Sequence, residues 1–200
     1  YGAFVGLAQT DLKYVIGYSS VSHMGLVSFG LATMSVGGVG GAVFQMFAHG
    51  IMTALLFSSV GHIYDRTHTK MIPELGGMAK VMPRASFFFI LAAMAGIGVP
   101  CLASFWAELL VFVHGFKAYP LLGTFAVLGL VVSALFMLRV VQRTFYGEKN
   151  ERFAACPDMS LGMTVPRIML AATILLFGFL PRLVVDTINV SVIPLVEMFK

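Results

Sequence analysis

The sequence SFFFILAAMAGIGVPCLASFWAELLVFVHGFKAY, residues 86–119, is apolar like a membrane-spanning segment but is interrupted in its middle. Gly96, Gly98 and Pro100 interrupt it, and Glu108 follows eight residues after the proline. A buried carboxylate is costly in hydrocarbon, and a broken helix frees backbone groups that need new partners. Discontinuous helices of this kind line transport sites near the middle of the bilayer. The stretch therefore predicts a membrane protein with a polar ion pathway.

The composition independently indicates a membrane protein. Hydrophobic residues make up 58% of the chain and charged residues 11%, against about 25% charged residues in soluble domains. The net charge of +4 is scattered, without the basic run that indicates nucleic-acid binding. Cys101 and Cys156 have no metal-ligand or CxxC spacing, so we expect neither a disulfide nor a bound metal. No motif of a soluble hydrolase or nucleotide-binding enzyme is present.

Apolar runs separated by polar segments predict an all-α, polytopic transmembrane helix bundle with at least one discontinuous helix. Residues 2–35 exceed one crossing, because 34 helical residues would extend about 51 Å against a hydrocarbon core of roughly 30 Å. We expect a turn at residues 9–11, where Thr10 or Asp11 can cap the next helix. The remaining predictions are a glycine connector at 37–41, spans at 43–63, 120–145 and 167–180, half-elements at 86–99 and 102–117, a weaker final segment at 183–200, and polar loops at about 64–84 and 147–166.

Polar side chains near the start of the chain are candidates for a proton pathway. Lys13 and Ser20 are seven residues apart and share a helix face, and His23 follows on the same predicted helix. Histidine exchanges protons near neutral pH, so His23 favours a proton pathway over simple helix contacts. Two alternatives remain for Lys13. It either carries protons inside the bilayer or, if the chain turns at residues 9–11, lies in the first helical turn and reaches the interface.

A second group of polar side chains lies further along the chain. Gln45 and His49 form an i,i+4 pair in the middle of a predicted span and need polar partners or water. A hydrogen-bonded structural role is the alternative for His49. His62, at the end of that span, is either a relay exit or a loop contact. Glu108 is the strongest candidate, because the adjacent break leaves unpaired backbone groups that can bind water. The alternative for Glu108 is a carboxylate at a membrane surface, which requires the break to lie near that surface.

Short segments spread over about 150 residues carry a resemblance to a known family. They are AQTDLK (8–13), YSSVSHMG (18–25), QMFAHG (45–50), YDRTHT (64–69), LGGMA (75–79), MP (82–83) and FYG (145–147). Together they closely resemble the antiporter-like subunits of respiratory complex I, the proton-conducting membrane transporter family. The carboxylate at position 108 resembles the subunit M branch, called chain 4 in mitochondria, because sister subunits usually carry a lysine there.

The resemblance implies roles for individual residues. Lys13 would be the central channel lysine, Glu108 the terminal carboxylate of the proton pathway, and His23 and His49 polar positions on the axis between them. Family members are longer, so residues 1–200 would be the C-terminal part of one antiporter-like transmembrane domain. Residues 100–107 depart from the more usual glycine-rich form of the break.

The implied function is redox-driven proton translocation within a complex I-type NADH–quinone oxidoreductase. Flavin, iron–sulfur clusters and quinone would lie in other subunits, and this chain would hold no cofactor and no residue that performs redox chemistry. Its partners would be other membrane subunits, including sister antiporter-like subunits, and the lipid bilayer of a bacterial inner membrane or an organellar energy-converting membrane. The alternatives are a subunit of a multi-subunit cation/proton antiporter or membrane-bound hydrogenase, and a structural membrane scaffold.

Overall fold

A computed structural model of the protein describes residues 1–199, in which helices pack around one long central helix, α3. This helix contacts α2, α5, α6, α8 and α9. Between α3 and α4 the chain forms a short 3-10 turn, and a second 3-10 turn follows α7. The helices of the described residues are α1 (Gly2–Ala8), α2 (Leu12–Ala32), α3 (Val36–Thr67), α4 (Met78–Val81), α5 (Pro83–Gly96), α6 (Ala103–Ala118), α7 (Pro120–Phe145), α8 (Leu161–Phe179) and α9 (Arg182–Glu197).

The lengths and hydropathy of these helices confirm the prediction of a polytopic all-α membrane protein. Helices α2, α3, α7 and α8 are each long and apolar enough to cross a membrane. Helices α5 and α6 are shorter and follow one another across an interruption. Many large apolar side chains of α7 and α8 face outward, including Leu121, Phe125 and Met169. Such surfaces suit contact with lipid or with other transmembrane helices.

The chain turns between α1 and α2, as the sequence predicts. Asp11 has an extended backbone and caps α2, because its side chain accepts hydrogen bonds from the amides of Lys13 at 2.8 Å and Tyr14 at 3.4 Å. The turn is held to the loop after α3 by an antiparallel bridge between Asp11 and Met71. The side chain of Lys70 lies 3.4 Å from the Asp11 carboxylate. This polar corner fixes the start of α2.

The predicted interruption of the helix between residues 86 and 117 is also confirmed. Helix α5 ends at Gly96 and α6 begins at Ala103. Gly98 has a φ of +76° and Cys101 a φ of +71°, so both residues are in the left-handed region. Glycine adopts this region readily, whereas cysteine is strained there because of its Cβ. The break is therefore a defined structure and not a simple kink.

The prediction of a glycine connector at residues 37–41 is wrong, because these residues form the start of α3. Ser35 caps the helix by accepting a hydrogen bond from the amide of Gly38 at 3.1 Å. A Cβ atom at Gly41 would lie only 2.8 Å from the Cβ of Leu110 on α6. The glycines thus allow two helix backbones to approach closely, which is a common use of small residues in membranes.

Two other helices have boundaries that differ from the predictions, and the final segment is also helical. Helix α3 continues through the polar residues Tyr64–Thr67, and the amide of His68 donates to the carbonyl of Tyr64 at its end. Helix α8 begins at Leu161 and includes Pro166, which removes only one backbone bond near the helix start. Helix α9 packs on α3 through valines, while residue 200 of the predicted final segment lies outside the described residues.

Candidate functional site

Glu108 lies in the second turn of α6, and its carboxylate is directed back toward the break. The residue is only 3% exposed. A Cβ atom at Gly98 would collide with the carboxylate, so the two groups are in direct van der Waals contact. The left-handed conformation of Gly98 brings its backbone to this position. The break therefore forms part of the wall around the only acidic side chain on α6.

Two polar side chains from other helices approach the Glu108 carboxylate. Gln45 on α3 donates a hydrogen bond from its side-chain amide to Oε1 at 3.4 Å. His23 on α2 places Nε2 3.6 Å from the same oxygen. The His23 separation is too long for a direct hydrogen bond. Proton exchange between His23 and Glu108 therefore needs a small side-chain movement or a bridging water.

His23 also connects α2 to the end of α5. Its Nδ1 lies 2.7 Å from the carbonyl oxygen of Ser19, and its Nε2 lies 3.0 Å from that of Gly96. A neutral imidazole has one N–H and can donate to only one of these acceptors, whereas an imidazolium donates to both. Both ring nitrogens of His23 thus face carbonyl acceptors, and Glu108 is the adjacent acidic side chain.

His49 completes this group of polar residues on α3. Its ring lies 5.2 Å from the ring of His23, measured between centroids, with the planes tilted by 38°. His49 Nδ1 and Gln45 Oε1 are buried and have no hydrogen-bond partner among residues 1–199. Three helices and the break therefore bring together Glu108, His23, Gln45 and His49, which we call the polar cluster.

A cavity of about 650 Å³ opens the polar cluster toward the outside of the chain. It lies among α1, α2, α6 and α7, and both His23 and Glu108 line it. Ser22 and Ser133 also line it and are 3.1 Å apart between their hydroxyl oxygens. This volume is large enough for several water molecules. The cluster is thus buried but borders this cavity through His23 and Glu108.

The structure does not bring Lys13 into the polar cluster. Lys13 lies in the first turn of α2 and its side chain is exposed, which is the alternative that a turn at residues 9–11 predicts. His23 is ten residues further along the helix, or about 15 Å at 1.5 Å per residue. Within residues 1–199 Lys13 thus lies at the start of α2 and away from the polar cluster, and its role as a channel lysine stays a prediction from the sequence.

Ser20 and His62 also lie outside the polar cluster. Ser20 is half-buried, and the contact to α7 is made instead by Ser22. His62 is buried near the loop end of α3, thirteen residues after His49. Close to it, the Arg167 guanidinium donates to the carbonyl of Ser58, one turn earlier on the same helix. His62 thus belongs to a separate group at the end of the bundle.

Sequence reasoning missed several residues that shape the site. Ser104 is buried one turn before Glu108, and the i,i+4 spacing is a signal that was available. Trp106 donates from its indole nitrogen to the carbonyl of Gly178 at 2.8 Å, which ties α6 to α8. No local pattern indicates this contact, because it joins residues 72 positions apart. Within residues 1–199 no group of three or more His, Cys, Asp or Glu is arranged to hold a metal ion.

The chain is similar to known proteins over its whole length. Residues 1–136 match the family model described as NADH:quinone oxidoreductase/Mrp antiporter, transmembrane. The NADH-quinone oxidoreductase subunit M of Rhodobacter capsulatus is 38% identical over 200 residues, which cover 100% of this chain and 39% of that protein. The F(420)H(2) dehydrogenase subunit M of Methanosarcina mazei is 39% identical over 186 residues, covering 93% and 38% of the two proteins. The chain thus spans about two fifths of the length of these relatives.

A solved structure is also similar to this chain. A chain of respiratory complex I from Thermus thermophilus, determined with bound NADH, has a TM-score of 0.90 and 30% sequence identity. The match covers 100% of this chain and 41% of the complex I chain. Sequence and fold therefore lead to one conclusion: this integral membrane protein chain belongs to the NADH:quinone oxidoreductase/Mrp antiporter transmembrane family.

Proposed function

We propose that this chain is the C-terminal part of a proton-translocating subunit M in a complex I-type NADH–quinone oxidoreductase. The observation that carries the proposal is the buried contact of Glu108 with Gln45 and His23 beside the helix break. A carboxylate and an imidazole that are buried, adjacent and connected to a cavity form an arrangement suited to proton transfer. The names of the relatives support the type of complex.

In the proposed mechanism, Glu108 accepts and releases a proton, and His23 is the adjacent proton-binding group. The 3.6 Å separation keeps the two groups in electrostatic contact without a direct hydrogen bond. Loss of a proton from Glu108 stabilises the imidazolium form of His23, because opposite charges attract strongly in a low-dielectric site. Transfer then depends on water or side-chain rotation, and His49 provides the next group that can bind the proton.

Other parts of the complex would supply the driving force. We propose that electron transfer from the donor to quinone takes place in other subunits, which would hold the flavin and the iron–sulfur clusters. A charge change in a neighbouring membrane subunit would alter the proton affinities of the polar cluster. The partners would include sister antiporter-like subunits, and this chain would move protons without holding a redox centre.

The proposal is tested by Glu108→Gln in the full-length protein within its assembled complex. Glutamine keeps the size and hydrogen bonding of glutamate but cannot exchange a proton. We expect proton uptake by sealed vesicles during quinone reduction to fall about a hundredfold or more, because a positioned proton-transfer group typically contributes about 10²–10⁴-fold. Electron transfer to an artificial acceptor should persist in this variant. Glu108→Asp should reduce proton uptake less, because it keeps a carboxylate and a water molecule can bridge the gap left by the shorter side chain.

Glu148→Gln is the matched control, because Glu148 is exposed in the loop after α7. It should leave proton uptake unchanged. Normal uptake by an assembled Glu108→Gln variant would contradict the proposal and leave Glu108 with a structural role. The family description also includes Mrp antiporters. Proton movement that follows an imposed sodium gradient and not oxidation of the electron donor would support that alternative.

A further inference from the structure

Ser104 is a buried polar residue that the proposed mechanism does not use. It is 1% exposed and lies one turn before Glu108 on α6. Its hydroxyl oxygen has no hydrogen-bond partner among residues 1–199. His49, 9% exposed on α3, has the same feature at Nδ1. Leaving a buried polar atom unpaired is costly, so two such atoms in one region require an explanation.

The register between α3 and α6 follows from two contacts. Gly37 on α3 lies directly against the ring of His114 on α6. Two turns later on α3, Gln45 contacts Glu108, which lies earlier on α6. Later residues of α3 thus contact earlier residues of α6. The two helices are therefore antiparallel where they meet.

The same register places His49 opposite Ser104. One further turn along α3 leads from Gln45 to His49, and one further turn back along α6 leads from Glu108 to Ser104. Residues four apart lie on the same helix face. The two unpaired polar atoms thus belong to facing positions, one turn beyond the contact between Gln45 and Glu108.

A water molecule is the smallest group that could pair with these atoms. Both atoms are almost inaccessible from outside the chain, so a partner for them has to lie between the helices. The side-chain oxygen of Gln45 is a third buried atom without a partner among the described residues. Buried waters typically make about three hydrogen bonds to otherwise unpaired polar groups. Ser104, His49 and Gln45 together provide that number.

We propose that Ser104 is a positioning residue that holds a water molecule between Glu108 and His49. This inference rests on the proposed proton pathway and extends it. A proton released by Glu108 joins the water, and the water passes a different proton to Nδ1 of His49. The water is regenerated, Glu108 becomes a carboxylate and His49 becomes an imidazolium. Ser104 itself neither gains nor loses a net proton, because its role is to orient the water.

The first test is direct observation of the water in the full-length, assembled protein. A cryo-electron microscopy map that resolves ordered waters should show density within hydrogen-bond distance of Ser104 Oγ and His49 Nδ1. The map of Ser104→Ala should lack this density. A parent map that resolves other buried waters but shows none at this position overturns the inference.

The second test is functional and uses three variants. Ser104→Ala should reduce proton uptake severalfold and increase the solvent isotope effect, with assembly and electron transfer to an artificial acceptor unchanged. Ser104→Thr keeps the hydroxyl and should retain most of the uptake. Ser59→Ala is the control, because Ser59 is also fully buried but already donates to the carbonyl of Leu55 at 2.8 Å. It should pump like the parent.

The outcomes separate this inference from the proposed function. If Glu108→Gln abolishes uptake while Ser104→Ala pumps normally, the positioning role is wrong and the proton pathway stands. If Glu108→Gln pumps like the parent, the pathway is wrong, and the density test still decides whether Ser104 binds the water. Equal loss of uptake in Ser104→Ala and Ser104→Thr contradicts a role for the hydroxyl.

Discussion

The carboxylate of Glu108 lies against the backbone of Gly98, within the break that separates α5 from α6. The contact requires the left-handed conformation of Gly98 and the absence of a Cβ atom there. The shape of the break and the position of the carboxylate are therefore coupled. A substitution at Gly98 should therefore affect the position of the Glu108 carboxylate, and the reverse, although the two residues are ten positions apart in the sequence.

Gly98→Ala should disturb both stability and proton transfer. Alanine in the left-handed region costs about 1–2 kcal/mol, and the methyl group would displace the Glu108 carboxylate. We expect a lower thermal unfolding midpoint and reduced proton uptake in vesicles. Gly61→Ala is the control, because a Cβ there meets no other atom within 4 Å. Unchanged uptake in an assembled Gly98→Ala variant would show that the carboxylate position is not critical.

His23→Gln should reduce proton uptake while retaining assembly, because the amide donates a hydrogen bond but does not carry a proton. His23→Ala should in addition destabilise the protein by about 1–3 kcal/mol, since buried acceptors lose their donor. If His23 and Glu108 act together, combining His23→Gln with Glu108→Gln should add little to the larger single effect. Fully additive losses, measured as uptake rates on the same membranes, would indicate independent roles.

Cys101→Gly should stabilise the protein. Cys101 has a φ of +71°, and removing the Cβ relieves strain of about 1 kcal/mol. The measurement is the thermal unfolding midpoint of the full-length protein in detergent. Cys101→Ala retains the Cβ and serves as the control, with no gain expected. A glycine variant no more stable than the alanine variant would mean that the backbone at residue 101 is unstrained.

Gly41→Ala should separate α3 from α6 and weaken the contact of Gln45 with Glu108. A Cβ at Gly41 would lie 2.8 Å from the Cβ of Leu110 and 3.0 Å from a backbone nitrogen, and overpacking of this kind typically costs about 1–3 kcal/mol. At Gly40 the nearest atom would be 3.6 Å away. Gly40→Ala should therefore be tolerated in the same unfolding assay, and equal effects of the two variants would refute the packing argument.

Much of the fold could be predicted because hydrophobicity and helix-breaking residues act locally. The cap at Asp11 and the break after Gly96 both follow from backbone chemistry within a few residues. The glycines at the start of α3 misled the prediction, because glycine serves equally in a turn and in a close helix contact. The two uses differ in whether another helix packs against the glycines. The sequence around residues 37–41 does not show that α6 lies there.

The sequence alone determined that the chain is an all-α membrane protein with a broken helix, and it identified which side chains are polar within apolar runs. The tertiary structure decided which of these side chains meet. Gln45 and Glu108 are 63 positions apart, and His23 and the Gly96 carbonyl are 73 positions apart. Such contacts depend on how helices cross and in which register, which no local pattern specifies. By their spacing, Lys13 and His23 are both candidates for the proton pathway. Helix packing places His23 beside Glu108 and leaves Lys13 exposed in the first turn of α2.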